Sequence, residues 1–126
     1  MSDIKNPKLT QEQIDVLFNK ATEAPFSGDL LHNEEDGDYN CANCGVVLFG
    51  AETKFDSGSG WPSFYDAKES KNVKLVEDVS HGMHRVEALC GNCGGHLGHV
   101  FNDAADQPTG QRFCINSLSL EFKKEP

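Results

Sequence analysis

Apolar positions change period once along this chain. Ile14, Leu17, Phe18 and Ala21 recur at helical spacing and give one apolar stripe. Thr10-Gln11-Glu12-Gln13 precedes them and matches a capping box, with Gln13 at the reciprocal position. The pattern predicts a helix starting after Thr10 and stopped by Pro25 and Gly28, behind a polar, flexible lead at 1–9. From Tyr39 onward the helical period is gone. Short apolar runs at 46–49, 73–76, 85–89, 99–101 and 118–122 alternate with Gly, Asn, Asp and Ser, and read as strands. Val86 and Ala88 alternate with Glu87 and Leu89, and Leu118, Leu120 and Phe122 with Ser119 and Glu121, so each run should have one buried and one wet face. The reading is mainly β: antiparallel sheets with a short N-terminal helical segment, in one domain over residues 1–126.

Composition narrows the picture. Hydrophobic residues are 37% and glycine numbers 12, a modest core for a loop-rich chain that would gain from a metal staple. The formal net charge is −9, and no basic cluster offsets it beyond Lys123-Lys124. Such a surface repels phosphate backbones, which argues against nucleic acid as a partner. No window approaches the roughly 18 apolar residues of a membrane span, and residues 1–10 lack the apolar region of a secretory signal. The expectation is a monomeric cytoplasmic protein, although a processed organellar one would read the same.

Four of the five cysteines form two C-x-x-C pairs, Cys41/Cys44 and Cys90/Cys93. Four soft thiolates are the tetrahedral set of a structural zinc, closed to substrate. The 45 residues between Cys44 and Cys90 exceed the spacing of a lone zinc ribbon, so a metal would clamp two hairpins of a larger sheet. The alternatives are a thioredoxin-type redox pair, which neither motif supports by opening a helix, and two disulfides, which the missing signal disfavours.

The fifth, Cys114, is by its neighbours alone either a small buried hydrophobe or a nucleophile. On an extended strand Arg112 and Asn116 share its face, and the Arg112 charge would favour a thiolate. His96 and His99 lie in a glycine-flanked stretch and read as a thiol activator or proton donor more readily than as loop histidines. Trp61, the only tryptophan, sits in Gly58-Ser59-Gly60-Trp61-Pro62-Ser63-Phe64, as a loop anchor or as one wall of an apolar pocket.

Taken together, these segments resemble the B-type methionine sulfoxide reductases. The resemblance runs from Ala24-Pro25-Phe26-Ser27-Gly28 through Tyr39 to Cys44, Lys54 to Phe64, Ser80-His81-Gly82-Met83 and Cys90 to Phe101, closing at Arg112 to Phe122. It implies a tent-like fold of two antiparallel sheets with one structural zinc on Cys41, Cys44, Cys90 and Cys93. It implies an oxidoreductase that returns methionine-R-sulfoxide in oxidised proteins to methionine, through a cysteine sulfenic acid and a thiol reductant such as thioredoxin. By residue, Cys114 matches the nucleophile, and Arg112 and Asn116 the residues flanking it. Trp61 receives the substrate methyl group. His99 and His96 form the polar side, with His99 the proton donor, and Phe64 lines the apolar side.

Two departures stand out. Ser59 occupies the place of the resolving cysteine found in many members, so recycling falls to an external thiol, with glutathione or glutaredoxin the alternatives to thioredoxin. Residues 102–108 replace a family Asp-Gly-Pro turn, and no role carries over to Asp103. A competing reading from another class is a zinc-stapled binding module that shares the fold without the chemistry.

Overall fold

The computed structural model describes residues 4–79 and 82–124. The start of the lead, and Ser80 and His81 of the resemblance, lie outside the described residues. Helix α1 covers Gln11–Asn19. Its capping box forms: Thr10 Oγ1 accepts from Gln13 N at 3.2 Å, and Gln13 Oε1 accepts from Thr10 N at 2.9 Å. The helix ends earlier than its stripe suggests. Lys20 turns left-handed at φ 57° and its N–H bonds back to the Asp15 carbonyl, so Ala21 lies beyond the last turn. The lead is anchored from Lys5, whose N–H donates to Asn43 Oδ1, and from Asn6, whose amide donates to the Ala42 carbonyl.

Nine strands follow among the described residues: β1 (Gly37–Cys41), β2 (Val47–Gly50), β3 (Lys54–Phe55), β4 (Ser63–Phe64), β5 (Val73–Asp78), β6 (Arg85–Cys90), β7 (His96–Phe101), β8 (Arg112–Ile115) and β9 (Leu120–Lys124). They make two antiparallel sheets, ordered β2-β1-β9 and β3-β4-β8-β7-β6-β5. The core lies between them. Phe49 of the smaller sheet stacks on Phe64 of the larger at 4.5 Å between centroids, and Tyr39 and Phe113 meet this pair edge-on. Leu48, Ala88, Leu97 and Ile115 are fully buried in the same cluster. Aromatic pairs of this kind add directional preference to simple area burial.

Two alternations read from the sequence fail where polar groups find partners inside. Glu87 is buried, bonded to His96 and Lys20. Ser119 is fully buried in a short 3-10 turn and donates to the His96 carbonyl, so the alternating strand begins only at Leu120. A third irregularity matters for the chemistry. Ala88 pairs with Gly98 but Leu89 pairs with His96, which leaves Leu97 as the extra residue of a bulge. A regular strand would send His96 and His99 to opposite faces; the bulge returns both to one face while Leu97 enters the core.

Gly98 lets β7 approach β8 at the point where they carry the candidate residues. A Cβ there would lie 2.0 Å from the Cys114 carbonyl oxygen, a backbone atom that cannot swing away. Gly98→Ala should therefore cost about 3 kcal/mol or more, as overpacking does. Urea unfolding would show it, and an unchanged midpoint would contradict the packing described.

Candidate active site

Strand β8 separates fold from chemistry by simple alternation. Phe113 and Ile115 point into the core, while Arg112 and Cys114 point to the opposite face of the larger sheet. Register fixes their neighbours: Cys114 lies opposite Ser63 on β4 and His99 on β7, and Arg112 lies opposite Phe101. Further along the same face come Glu87 opposite His99, and Arg85 opposite Asp78. One sheet face thus gathers the thiol, two cations, two imidazoles and two carboxylates.

Cys114 is 9% exposed. Arg112 Nη1 donates to its sulfur at 2.6 Å, and the Ser59 and Ser63 hydroxyl oxygens lie at 3.4 and 3.7 Å. Ser57 bridges those two hydroxyls at 2.8 and 2.7 Å. Arg112 is fixed on its other side by Asp103, with Nε and Nη2 donating to the two carboxylate oxygens at 3.0 and 2.9 Å. Its guanidinium also stands 4.5 Å over the Phe101 ring. Asp103 and, to a lesser degree, Cys114 raise the Arg112 pKa, and Arg112 in turn holds the Asp103 carboxyl below its ordinary range.

The imidazoles are held from behind. His99 Nε2 lies 2.8 Å from Asp78, which also meets Arg85. His96 is buried, and its Nδ1 lies 2.7 Å from Glu87, whose other oxygen takes the Lys20 ammonium at 3.1 Å. Burial lowers the His96 pKa despite the pull of Glu87. A neutral His96 is assigned its proton on Nδ1, where the carboxylate accepts it, leaving Nε2 as an acceptor.

A cavity of about 290 Å³ opens beside Cys114, bounded by Trp61, Phe101, Arg112, His96, His99 and Asn116, with Thr22, Ser59, Arg85 and Gly98 completing it. The Trp61 indole N–H donates to the Glu23 carbonyl at 3.0 Å. Gly60, at φ 94°, lets the Pro25-Phe26 segment close over this loop, since a Cβ would meet Pro25 at 2.7 Å. A larger cavity of about 460 Å³, between α1 and the segment leading into β9, is lined by no cysteine, histidine or arginine.

Cys114, Arg112, His96, His99, Trp61 and Asn116, all expected at the site, border this one cavity. Phe64 does not. It faces opposite to Ser63 on β4, so it is fully buried between the sheets, and Phe101 stands where an apolar wall was expected. Asn116 borders the cavity, but its side chain accepts from Glu23 N and donates to the Leu97 carbonyl, tying the loop after α1 to β7. Asp78, Glu87 and Phe101 were not singled out from sequence, and Asp103 was named there only as a position without a role. Phe101 could have been, since it alternates with His99; the acids carry no local signal.

The four remaining cysteines converge elsewhere and share no residue with the cavity. Each C-x-x-C sits on the same turn: Gly45 N donates to the Cys41 carbonyl and Gly94 N to the Cys90 carbonyl. The sulfurs lie within 4.8 Å of one another, with pairs at 3.7 and 3.5 Å. Tetrahedral zinc–thiolate bonds place sulfurs about 3.8 Å apart, so the set fits a metal ion. All five cysteines are free. The crowd pushes the Cys41 thiol up, first through Cys90 and then Cys93, as expected of a cluster that a cation would discharge.

A thiol framed by an arginine, two imidazoles and an indole thus lies on a sheet whose hairpin turn shares a four-cysteine cluster with the smaller sheet. Residues 9–124 match the SelR domain, and the chain belongs to that family. It is 59% identical over 117 residues to a peptide methionine sulfoxide reductase MsrB of Methanosarcina mazei, covering 93% of this chain and 83% of the relative. Proteins of the same name from Leptospira interrogans and Escherichia coli are 56% and 53% identical, covering 94% and 90% of this chain and 89% and 82% of their own lengths. No helix among the described residues is long and apolar enough to cross a membrane.

The depressed His96 pKa makes a testable statement about stability. Below about pH 6.5 the unfolded chain protonates this histidine before the folded one does. The unfolded state then binds more protons, so stability falls with pH through that window. Urea titrations at about pH 7.5 and 5.5 should show a larger loss for the wild type than for His96→Gln. Equal losses would contradict a neutral buried His96.

Proposed function

We propose that this chain reduces the R epimer of methionine sulfoxide, in oxidised proteins and in free or blocked methionine, and that Cys114 is the nucleophile. The observation that carries the reading is the Arg112 guanidinium 2.6 Å from the Cys114 sulfur, beside a cavity walled by an indole. In this reading the thiolate attacks the sulfoxide sulfur while a donor protonates the oxygen, because bare oxide is a poor leaving group. His99, strand-opposite Cys114 and backed by Asp78, is the donor. Trp61 and Phe101 take the methyl group, and Arg112 with the imidazoles takes the oxygen, so a pocket apolar on one side and polar on the other admits one configuration. The sulfoxide sulfur gains two electrons and leaves as the methionine thioether. The protonated oxygen passes from that sulfur to Cys114, which loses two electrons and becomes a sulfenic acid.

Recycling then requires an external thiol. Ser59 stands 3.4 Å from the Cys114 sulfur where a resolving cysteine would act, and the other thiols are committed to the cluster. Thioredoxin is the expected reductant, with glutathione or glutaredoxin as alternatives. We assign the cluster one structural zinc on Cys41, Cys44, Cys90 and Cys93; bound there, the metal cross-links the two sheets and offers substrate no open position. The chain in this reading is a single-domain, monomeric, cytoplasmic repair enzyme of the oxidative stress response.

Turnover of blocked methionine-R-sulfoxide with dithiothreitol should be robust, that of the S epimer absent, and Cys114→Ser inactive. Activity surviving that substitution would end the assignment. Metal analysis should return one zinc per chain, and chelation should abolish the folded circular dichroism signal. Metal-free folded protein with both cysteine pairs oxidised would refute the staple.

A further inference from the structure

A second cavity, of about 390 Å³, adjoins the first and shares Ser59 and Arg112 with it. These are the two residues in contact with the Cys114 sulfur from that side, at 3.4 and 2.6 Å. Ser57, Asp56, Asp103 and Asp106 also bound it. The reaction described above fills the first cavity with a sulfoxide and leaves the second unused.

We propose that this second cavity admits the reducing thiol, and that it takes a small thiol bearing positive charge in preference to an anionic one. The inference rests on the sulfenic acid reading and names the partner of that intermediate.

The hydroxyl chain gives the cavity a chemical connection to sulfur. Ser57 donates to Ser59 at 2.8 Å, and Trp61 N also donates to the Ser59 oxygen at 3.5 Å. With its acceptor positions taken, Ser59 turns its own proton towards Cys114. When the thiolate attacks, the new S–S bond forms as the sulfenic S–O bond breaks. The Ser59 hydroxyl hydrogen-bonds the departing oxygen, which leaves as water with the proton that the thiol gave up to solvent on ionising. A second thiol cleaves the mixed disulfide, restoring Cys114 and releasing the oxidised thiol pair.

Charge sets the preference. Arg112 takes up the Asp103 charge through two hydrogen bonds. Asp56 accepts from Gly58 N, Asp106 accepts from Gln107, and neither forms a salt bridge among the described residues. Lys54, committed to the Leu31 carbonyl, offsets part of the Asp56 charge. The remaining field attracts an ammonium group and repels a carboxylate.

The test begins with one turnover on blocked methionine-R-sulfoxide without reductant, scored by the methionine released. Its absence would overturn the reductase reading before any thiol is added, and this inference with it. The oxidised chain is then mixed with 2-aminoethanethiol, 2-mercaptoethanol or 3-mercaptopropionate, compared at equal thiolate concentration and normalised to the methionine released. Rates should fall in that order, by about tenfold from first to last at low salt, and converge as salt is added. In a chain carrying both Asp56→Asn and Asp106→Asn the spread should shrink to about twofold or less. The amide oxygen that replaces the carboxylate at position 56 can still accept from Gly58 N, so the loop is preserved. Three equal rates in the wild type, or a spread the double variant leaves untouched, would overturn the proposal.

Discussion

The contact between the Arg112 guanidinium and the Cys114 sulfur organises this protein. A guanidinium has donors in a rigid fork, and here every edge is used: two donors on Asp103, one on the sulfur, and the flat face on Phe101. The result is a cation held against the thiol from three sides. A lysine at this position would keep the charge and lose the fork. Asp103 meets Cys114 only through the arginine it holds.

That contact exists because β8 is buried on one face and lined with polar groups on the other. Phe113 and Ile115 tie it to the aromatic cluster between the sheets, which fixes where Arg112 and Cys114 must point. Gly98 lets the histidine-bearing strand come close, and the bulge at Leu97 turns both imidazoles to the thiol's side. The cysteine cluster acts on the same strands from their end: the Cys90–Cys93 turn joins β6 to β7, and the Cys41–Cys44 turn joins β1 to β2. A metal bound to both turns would fix the smaller sheet against the larger and so hold the face that carries the site.

Much of this was legible in the residues. The twin cysteine pairs announce themselves by spacing, and the capping box at Thr10 is local chemistry that tertiary packing did not override. Cys114 and Arg112 share a face by strand period alone. What escaped was set by partners distant in sequence. Glu87 looked solvent-facing until Lys20 and His96 were placed around it. Ser119 looked exposed until it found a carbonyl across the fold. Phe64 turned inward and Phe101 borders the cavity instead, because a two-residue strand gives no period from which to tell its faces. The helix stopped at a left-handed lysine that no capping pattern marks, and the Asp103 grip on Arg112 spans a loop whose composition says nothing about where its carboxylate points.

The most direct measurement of the organising contact is the rate at which iodoacetamide modifies Cys114 at neutral pH, mapped by peptide mass, in the wild type and in Arg112→Met. The account predicts rapid modification at this one cysteine, with the other four protected, and a loss of about tenfold or more without the guanidinium. Equal rates in the two proteins, or a Cys114 that resists the reagent in both, would contradict it.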